Sequence, residues 1–333
     1  MRAVSEPNTP FAQGRFEDRP QRPRLSHRYF EGETTTVVVA SKPFGEIAIH
    51  VVSYGPRDAP PLLLIHGLMT TSYSWRYMFE RLGDRFRLVV PDLPGAGRSA
   101  VPAPGARYSG AALATFIGEL REALGIAGCL TVGNSLGGYL CMQAALEHPA
   151  RFARLAVIHP PALPELRLVA LHVGLRVPGA KAILAAVVRH APRRWAHRNV
   201  HYYDESLKSL EEAHEYGDPL ASGAGAGAFI GYLADALDPR ELHAFGRELR
   251  RRRDSGANFP VPLMAVYSQQ DPTVPPKVGR RLQPLLANAE WHWLEHTSHF
   301  VQVDSPDRLA VLLTDFLQRD ERQLTRTGAA RSR

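Results

Sequence analysis

Cysteine is scarce: the 333-residue chain has only two, Cys129 and Cys141. Two cysteines build no disulfide framework, and so low a count fits a reducing compartment. Cys129 lies in an apolar run and Cys141 in a predicted helix, where each reads as a small buried side chain. No cysteine–histidine group has the spacing of a structural zinc site, so no metal is expected. Long apolar runs are missing too, and none approaches the roughly 20 residues that span a bilayer. The opening MRAVSEPNTPFAQGRFEDRP carries charges and prolines where an export signal needs an apolar stretch. These absences predict a soluble, cytoplasmic protein without a membrane span.

Charge of one sign is in modest excess, with a net charge of +7 and a pI near 9.6. The basic residues are spread along the chain, densest in both tails and at Arg250–Arg253. That last run suits the wet end of a helix, where cations meet the dipole. No basic stripe argues for nucleic acid, so none is expected as a partner. Apolar residues make up 44% and charged residues 22%, enough to form a core.

Residues 1–30 are rich in Pro and Arg and lack an apolar period, which predicts a disordered arm; residues 320–333 read the same way. Between them, strands and helices alternate. Thr34–Ala40 and Glu46–Ser53 alternate like a hairpin, and Pro61–His66 is a short apolar run, as in a strand buried on both faces. Phe86–Val90, Cys129–Val132 and Leu155–Ile158 are further strands, with helices expected over Tyr73–Leu82, Tyr108–Leu124 and Leu136–Glu147. From 161 to 255 strands stop: helices are expected over Leu166–Val173, Ala180–His190, Asp204–Tyr216, Phe229–Leu237 and Pro239–Arg253, with Gly223–Gly227 as a flexible link. Alternation then returns with strands Val261–Tyr267 and Glu290–Leu294 and helices Lys277–Leu286 and Pro306–Leu317. This predicts an α/β core over 31–160 and 256–319, a mostly parallel sheet with helices on both faces, and an inserted helical cap over 161–255.

The strongest chemical signal is Gly133-Asn134-Ser135-Leu136-Gly137-Gly138, a G-x-S-x-G run between a predicted strand and a predicted helix. A sharp turn there holds the serine in strained angles, so its neighbours must lack bulk. No lysine and no G-x-x-x-x-G-K-[ST] pattern supports a phosphate loop instead. A serine needs a base, and His299 in His296-Thr297-Ser298-His299 stands in a loop before the last helix; His296 is the alternative. Asp271, in the loop past Val261–Tyr267, can orient that histidine, with Glu165 as the fallback acid. The oxyanion donors expected are the N–H groups of Leu136 and of Leu68, with Met69 the alternative to Leu68.

Taken together, LLLIHGLMTTSYSWR, PDLPGAGRS, VGNSLGG, VYSQQDPTVPP and HTSHFVQVDSPDRLAVLLTDFL resemble the α/β-hydrolase superfamily, across about 34–160 and 260–318. The resemblance is to the branch of haloalkane dehalogenases, epoxide hydrolases, meta-cleavage-product hydrolases and small esterases. It implies an eight-stranded sheet, a cap after the sixth strand and no cofactor. Dehalogenases and epoxide hydrolases of this fold carry aspartate at the elbow, where this chain has Ser135. The family usually has Gly where this chain has Ser298, and often where it has Ser268. The expected function is a serine hydrolase with the triad Ser135, His299 and Asp271. It would cleave an ester or related acyl bond of a small, largely apolar substrate through an acyl-enzyme. C–C bond hydrolysis of the meta-cleavage type, acyl transfer or perhydrolysis, and a catalytically silent binding protein are the alternatives.

Overall fold

The computed structural model describes residues 9–319. Eight strands form one sheet: β1 (Glu33–Ser41), β2 (Gly45–Tyr54), β3 (Pro61–Ile65), β4 (Arg87–Pro91), β5 (Cys129–Asn134), β6 (Phe152–Ile158), β7 (Leu263–Ser268) and β8 (Glu290–Leu294). Their order is β1-β2-β4-β3-β5-β6-β7-β8. The β1–β2 and β2–β4 pairs are antiparallel, and every later pair is parallel. Parallel strands need crossovers, and helices supply them: α1 (Arg76–Leu82), α2 (Gly110–Ala123) and α3 (Leu136–Glu147) in the first half. Leu62, Leu63, Leu64 and Ile65 have no exposed surface, as expected of a strand covered on both faces.

Between β6 and β7 the chain is helical: α4 (Leu166–Gly174), α5 (Ala180–His190), α6 (Pro192–Asn199), α7 (Leu210–Gly217), α8 (Gly223–Asp235) and α9 (Pro239–Asp254). The chain closes with α10 (Pro276–Leu282), α11 (Val301–Asp304) and α12 (Pro306–Leu317). The expected flexible link at Gly223–Gly227 is instead the start of α8. The Gly225 N–H donates to the Ser222 side chain at 2.9 Å, and a Cβ on Gly225 would strike the Pro219 carbonyl. Local composition favoured flexibility, and the N-cap together with close packing overrode it.

Residues 9–30 are also not the free arm that their composition predicts. They lie along residues 197–211. The Phe11 N–H donates to the Tyr203 carbonyl, and the Leu210 and Glu211 N–H groups donate to the Pro20 and Gln21 carbonyls. Gln13 reaches the His197 carbonyl at 2.8 Å, and Glu17 pairs with Arg194 at 2.6 Å. A segment with no apolar period is held here by backbone bonding and ion pairs, and near its end Tyr29 is buried in the core with Leu25 packed against it. Residues 1–8 and 320–333 of the expected tails lie outside the described residues.

The parallel register brings the C-terminal strand ends to one edge of the sheet. Ile65 pairs with Gly133, Asn134 with Ile158, Ile158 with Val266, and Ser268 with Leu294. An open α/β sheet presents its ligand crevice at this edge. On the helical insertion's side, buried Arg76 of α1 donates to Glu212 of α7 at 2.7 Å, and Tyr202 donates to the same carboxylate at 2.6 Å. The insertion is thus bolted to the core at α7.

Candidate active site

Ser135 follows β5 directly and precedes α3, with φ 53° and ψ −122°. A non-glycine residue at that φ is strained, and the surroundings must enforce it. Its N–H donates to the Ile158 carbonyl at 2.7 Å, and its neighbours leave no alternative packing. A Cβ on Gly133 would lie 2.6 Å from Gly138 Cα, and one on Gly137 2.6 Å from the Ile65 carbonyl. The loop after β3 crosses the same spot, because a Cβ on Gly67 would come within 3.0 Å of Ser135 Cβ. Leu68 and Met69, the latter at φ 65°, follow in that loop, and Leu136 is the first residue of α3. Leu136 thus adjoins the serine in the chain, and Leu68 follows Gly67, the residue that approaches it.

Asp271 follows β7 and is buried. Its Oδ1 accepts the N–H groups of Thr273 and Val274 at 2.6 and 2.9 Å. Its Oδ2 lies 2.6 Å from His299 Nδ1. Asn134, next to the serine, donates to the His299 carbonyl at 3.2 Å. Ser135 Oγ makes no hydrogen bond to His299 among the described residues. Such a contact often tightens only when substrate is bound.

A second imidazole neighbour of Asp271 was not read from the sequence. His159, one residue past β6 at φ 50° and fully buried, places Nδ1 2.8 Å from the same Asp271 Oδ2. At this distance the ring and the carboxylate are in direct electrostatic contact. The Ser268 N–H donates to His159 Nε2 at 3.1 Å, so the proton of the neutral ring sits on Nδ1, facing Asp271. Burial lowers the His159 pKa and keeps the ring neutral. Burial alone would raise the Asp271 carboxyl, but the His299 and His159 rings outweigh it and hold it well below the usual carboxylate range. The sequence showed His159 only as the stop of a strand, in His159-Pro160-Pro161. Its contact depends on β6 pairing with β7, which no local motif reveals.

The alternatives fall elsewhere. Glu165 pairs with Lys277 at 2.6 Å and Arg281 at 2.8 Å. His296 Nδ1 is bonded to the Tyr203 hydroxyl at 2.9 Å. The two departures from the family pattern act as ties. Ser298 Oγ donates to Asp304 Oδ2 at 2.5 Å, and Asp304 also accepts the Tyr203 N–H at 2.9 Å. Ser268 Oγ donates to the Thr297 carbonyl, so the acid's strand grips the histidine's loop.

His159, Asp271 and His299 bring their ligand atoms within 4.8 Å of one another, and these residues could offer a divalent cation two nitrogens and an oxygen. Zinc bonds of about 2.0–2.1 Å in tetrahedral geometry would spread N and O to roughly 3.3 Å. The observed 2.6 and 2.8 Å are shorter and suit N–H groups around one acceptor.

Beside the elbow a small, partly open cavity of 30 Å³ is lined by His66, Gly67, Leu68, Met69, Tyr216 and Phe229, among others. It holds about two waters. It lies between the loop after β3 and helices α7 and α8.

The model of the alpha/beta hydrolase fold family matches residues 60–306. An uncharacterized hydrolase of Bacillus subtilis is 23% identical over 283 residues, covering 82% of this chain and 95% of its own. A haloalkane dehalogenase of Mycobacterium marinum is 28% identical over 285 residues, covering 82% of this chain and 90% of its own. The crystal structure of a putative alpha/beta hydrolase from Nostoc sp. PCC 7120 superposes with a TM-score of 0.71 at 20% identity, covering 88% of this chain and 100% of that one.

Proposed function

Because the chain belongs to the alpha/beta hydrolase fold family, we propose that it is a serine hydrolase acting on a carboxylic ester or related acyl bond. The observation that carries this reading is the strained Ser135 on the same sheet edge as the Asp271–His299 pair. In this reading Ser135 Oγ attacks the acyl carbon as His299 Nε2 takes its proton. Asp271 fixes the His299 tautomer with the proton on Nδ1 and offsets the imidazolium charge. The N–H groups of Leu68 and Leu136 receive the oxyanion, each worth about 3 kcal/mol in the transition state. His299 then returns the proton to the leaving alcohol, and water releases the acyl group by the same route. The relative from Mycobacterium marinum is a haloalkane dehalogenase. Displacing a halide to form an ester on the enzyme requires a carboxylate nucleophile, and a serine at the elbow favours acyl chemistry instead.

Residues 161–255 act as the cap in this proposal, closing over bound substrate to keep water from the crevice. The apolar lining from Leu68, Met69 and Phe229 favours a small, largely apolar acyl or alcohol group. The test is direct. A fluorophosphonate probe is expected to label the protein once, at Ser135, and short p-nitrophenyl esters to be turned over. Labelling that persists in Ser135→Ala, or ester turnover unaffected by His299→Ala, overturns the proposal.

A further inference from the structure

We propose that α4 and α5 form a docking surface for anionic lipid bilayers. Ten large apolar side chains are exposed on the described residues, and six of them lie between 166 and 187: Leu166, Val169, Val173, Val177, Ile183 and Val187. Leu166 is 88% exposed and Ile183 68%. On α4 the spacing 166, 169, 173 makes one stripe; on α5 the spacing 183, 187 makes another. The inward side is already apolar, since Leu175 and Val188 are buried. A helix of a soluble protein presents mostly polar residues outward, whereas these two present mostly aliphatic ones, with Arg167, Lys181 and Arg189 among them. The apolar surface continues past α5 into an open groove of 660 Å³, walled by Val101, Pro102, Ala182 and Ala185 among others.

Charge identifies the occupant. From 166 to 203 the chain has no Asp or Glu and seven Arg or Lys residues. Arg193 and Arg194 are paired with Asp218 and Glu17. Arg176, Lys181 and Arg189 are exposed and have no carboxylate partner among the described residues. Aliphatic side chains flanked by long unpaired cations match the boundary between acyl chains and anionic headgroups. A second copy docked on this face would set the same cations against each other. No helix of the described residues is long and apolar enough to cross a membrane, so the contact is with the surface.

The test is co-sedimentation of the full chain with vesicles of phosphatidylcholine containing about a third phosphatidylserine, an anionic surface of the kind invoked. The protein is expected to pellet with these vesicles and not with pure phosphatidylcholine. Leu166→Ser with Ile183→Ser and Val187→Ser is expected to weaken binding about tenfold or more. Arg176→Glu with Lys181→Glu and Arg189→Glu is expected to abolish it. Unchanged melting temperature and circular dichroism verify that both variants fold. Absence of pelleting overturns the proposal, as does binding indifferent to the aliphatic substitutions, which assigns it to charge elsewhere. Self-association that the serine substitutions abolish overturns it in favour of an interface between copies. Binding of soluble polyglutamate with the same dependence on the aliphatics overturns it in favour of an acidic protein.

Discussion

Asp271 Oδ2 has two imidazole Nδ1 atoms within 2.8 Å, and the rings do different things. His299 is tied to Ser135's strand end through its carbonyl, which accepts from Asn134. His159 cannot act as its substitute, because the Ser268 N–H already occupies its Nε2. Its effect is to hold the carboxylate in place and ionised. His159→Phe removes one partner of Asp271 and leaves the Ser268 N–H without its acceptor. Ester turnover is expected to show kcat roughly tenfold lower, about 1.4 kcal/mol of transition-state stabilisation, with KM little changed. His159→Gln, which keeps a donor, is expected to recover part of the loss. A drop in melting temperature with kcat intact would reduce His159 to a packing residue. At this scale the sequence was uneven. Ser135 announces itself because its elbow needs glycine at Gly133 and Gly137, and that need is local. His159 does not, because its partner lies 112 positions on and is reached through strand pairing alone.

Elements with one strong local cause were legible. β3 reads as a continuous apolar run because both of its faces are covered, and α2 begins where Ser109 caps it. Elements whose own composition hides their cause were not. The GAGAG segment of α8 becomes helical because Ser222 caps it and Pro219 packs on it. The α6 helix, with the basic sequence PRRWAHRN, shows no apolar period and is sustained by α7 and by Phe16 of the arm. The arm itself tests this reasoning. Its three backbone bonds to residues 203–211 are worth about 1 kcal/mol each. Removing residues 1–22 is expected to destabilise the protein by about 3 kcal/mol and to speed amide exchange across 197–213, leaving β5 and α3 protected. Exchange unchanged in 197–213 would show that the arm contributes nothing there.

Over the whole molecule, buried titratable groups set the response to acid. His66 sits past β3 as His159 sits past β6. Its Nε2 accepts the Leu93 N–H at 2.9 Å, and its Nδ1 lies 2.8 Å from the Gly67 carbonyl. Burial lowers the pKa of both rings. A histidine that is harder to protonate folded than unfolded costs stability as pH falls below about 6.5. Asp271, lowered by its two rings, contributes stability above the unfolded value of about 4 that is lost as pH falls through the acid range. Asp304 opposes them: burial pushes its carboxyl up to about 7, so its contribution is present below about 4 and lost as pH rises through 7. It retains some solvent contact, which weakens that effect. The melting temperature is expected to fall between pH 7 and 5, and His159→Phe to flatten that slope. A variant slope equal to the parent's would show that His159 is not held neutral.

The arm's attachment also bears on how the chain is made. Gln13 bonds to a residue 184 positions later. At roughly 5–20 residues per second, its partner leaves the ribosome on the order of 10 s or more after the arm does. Strands β1 to β6 emerge in that interval. The arm therefore cannot dock until the whole of β1 to β6 has emerged, and until then its residues 9–30 are open to chaperones and proteases.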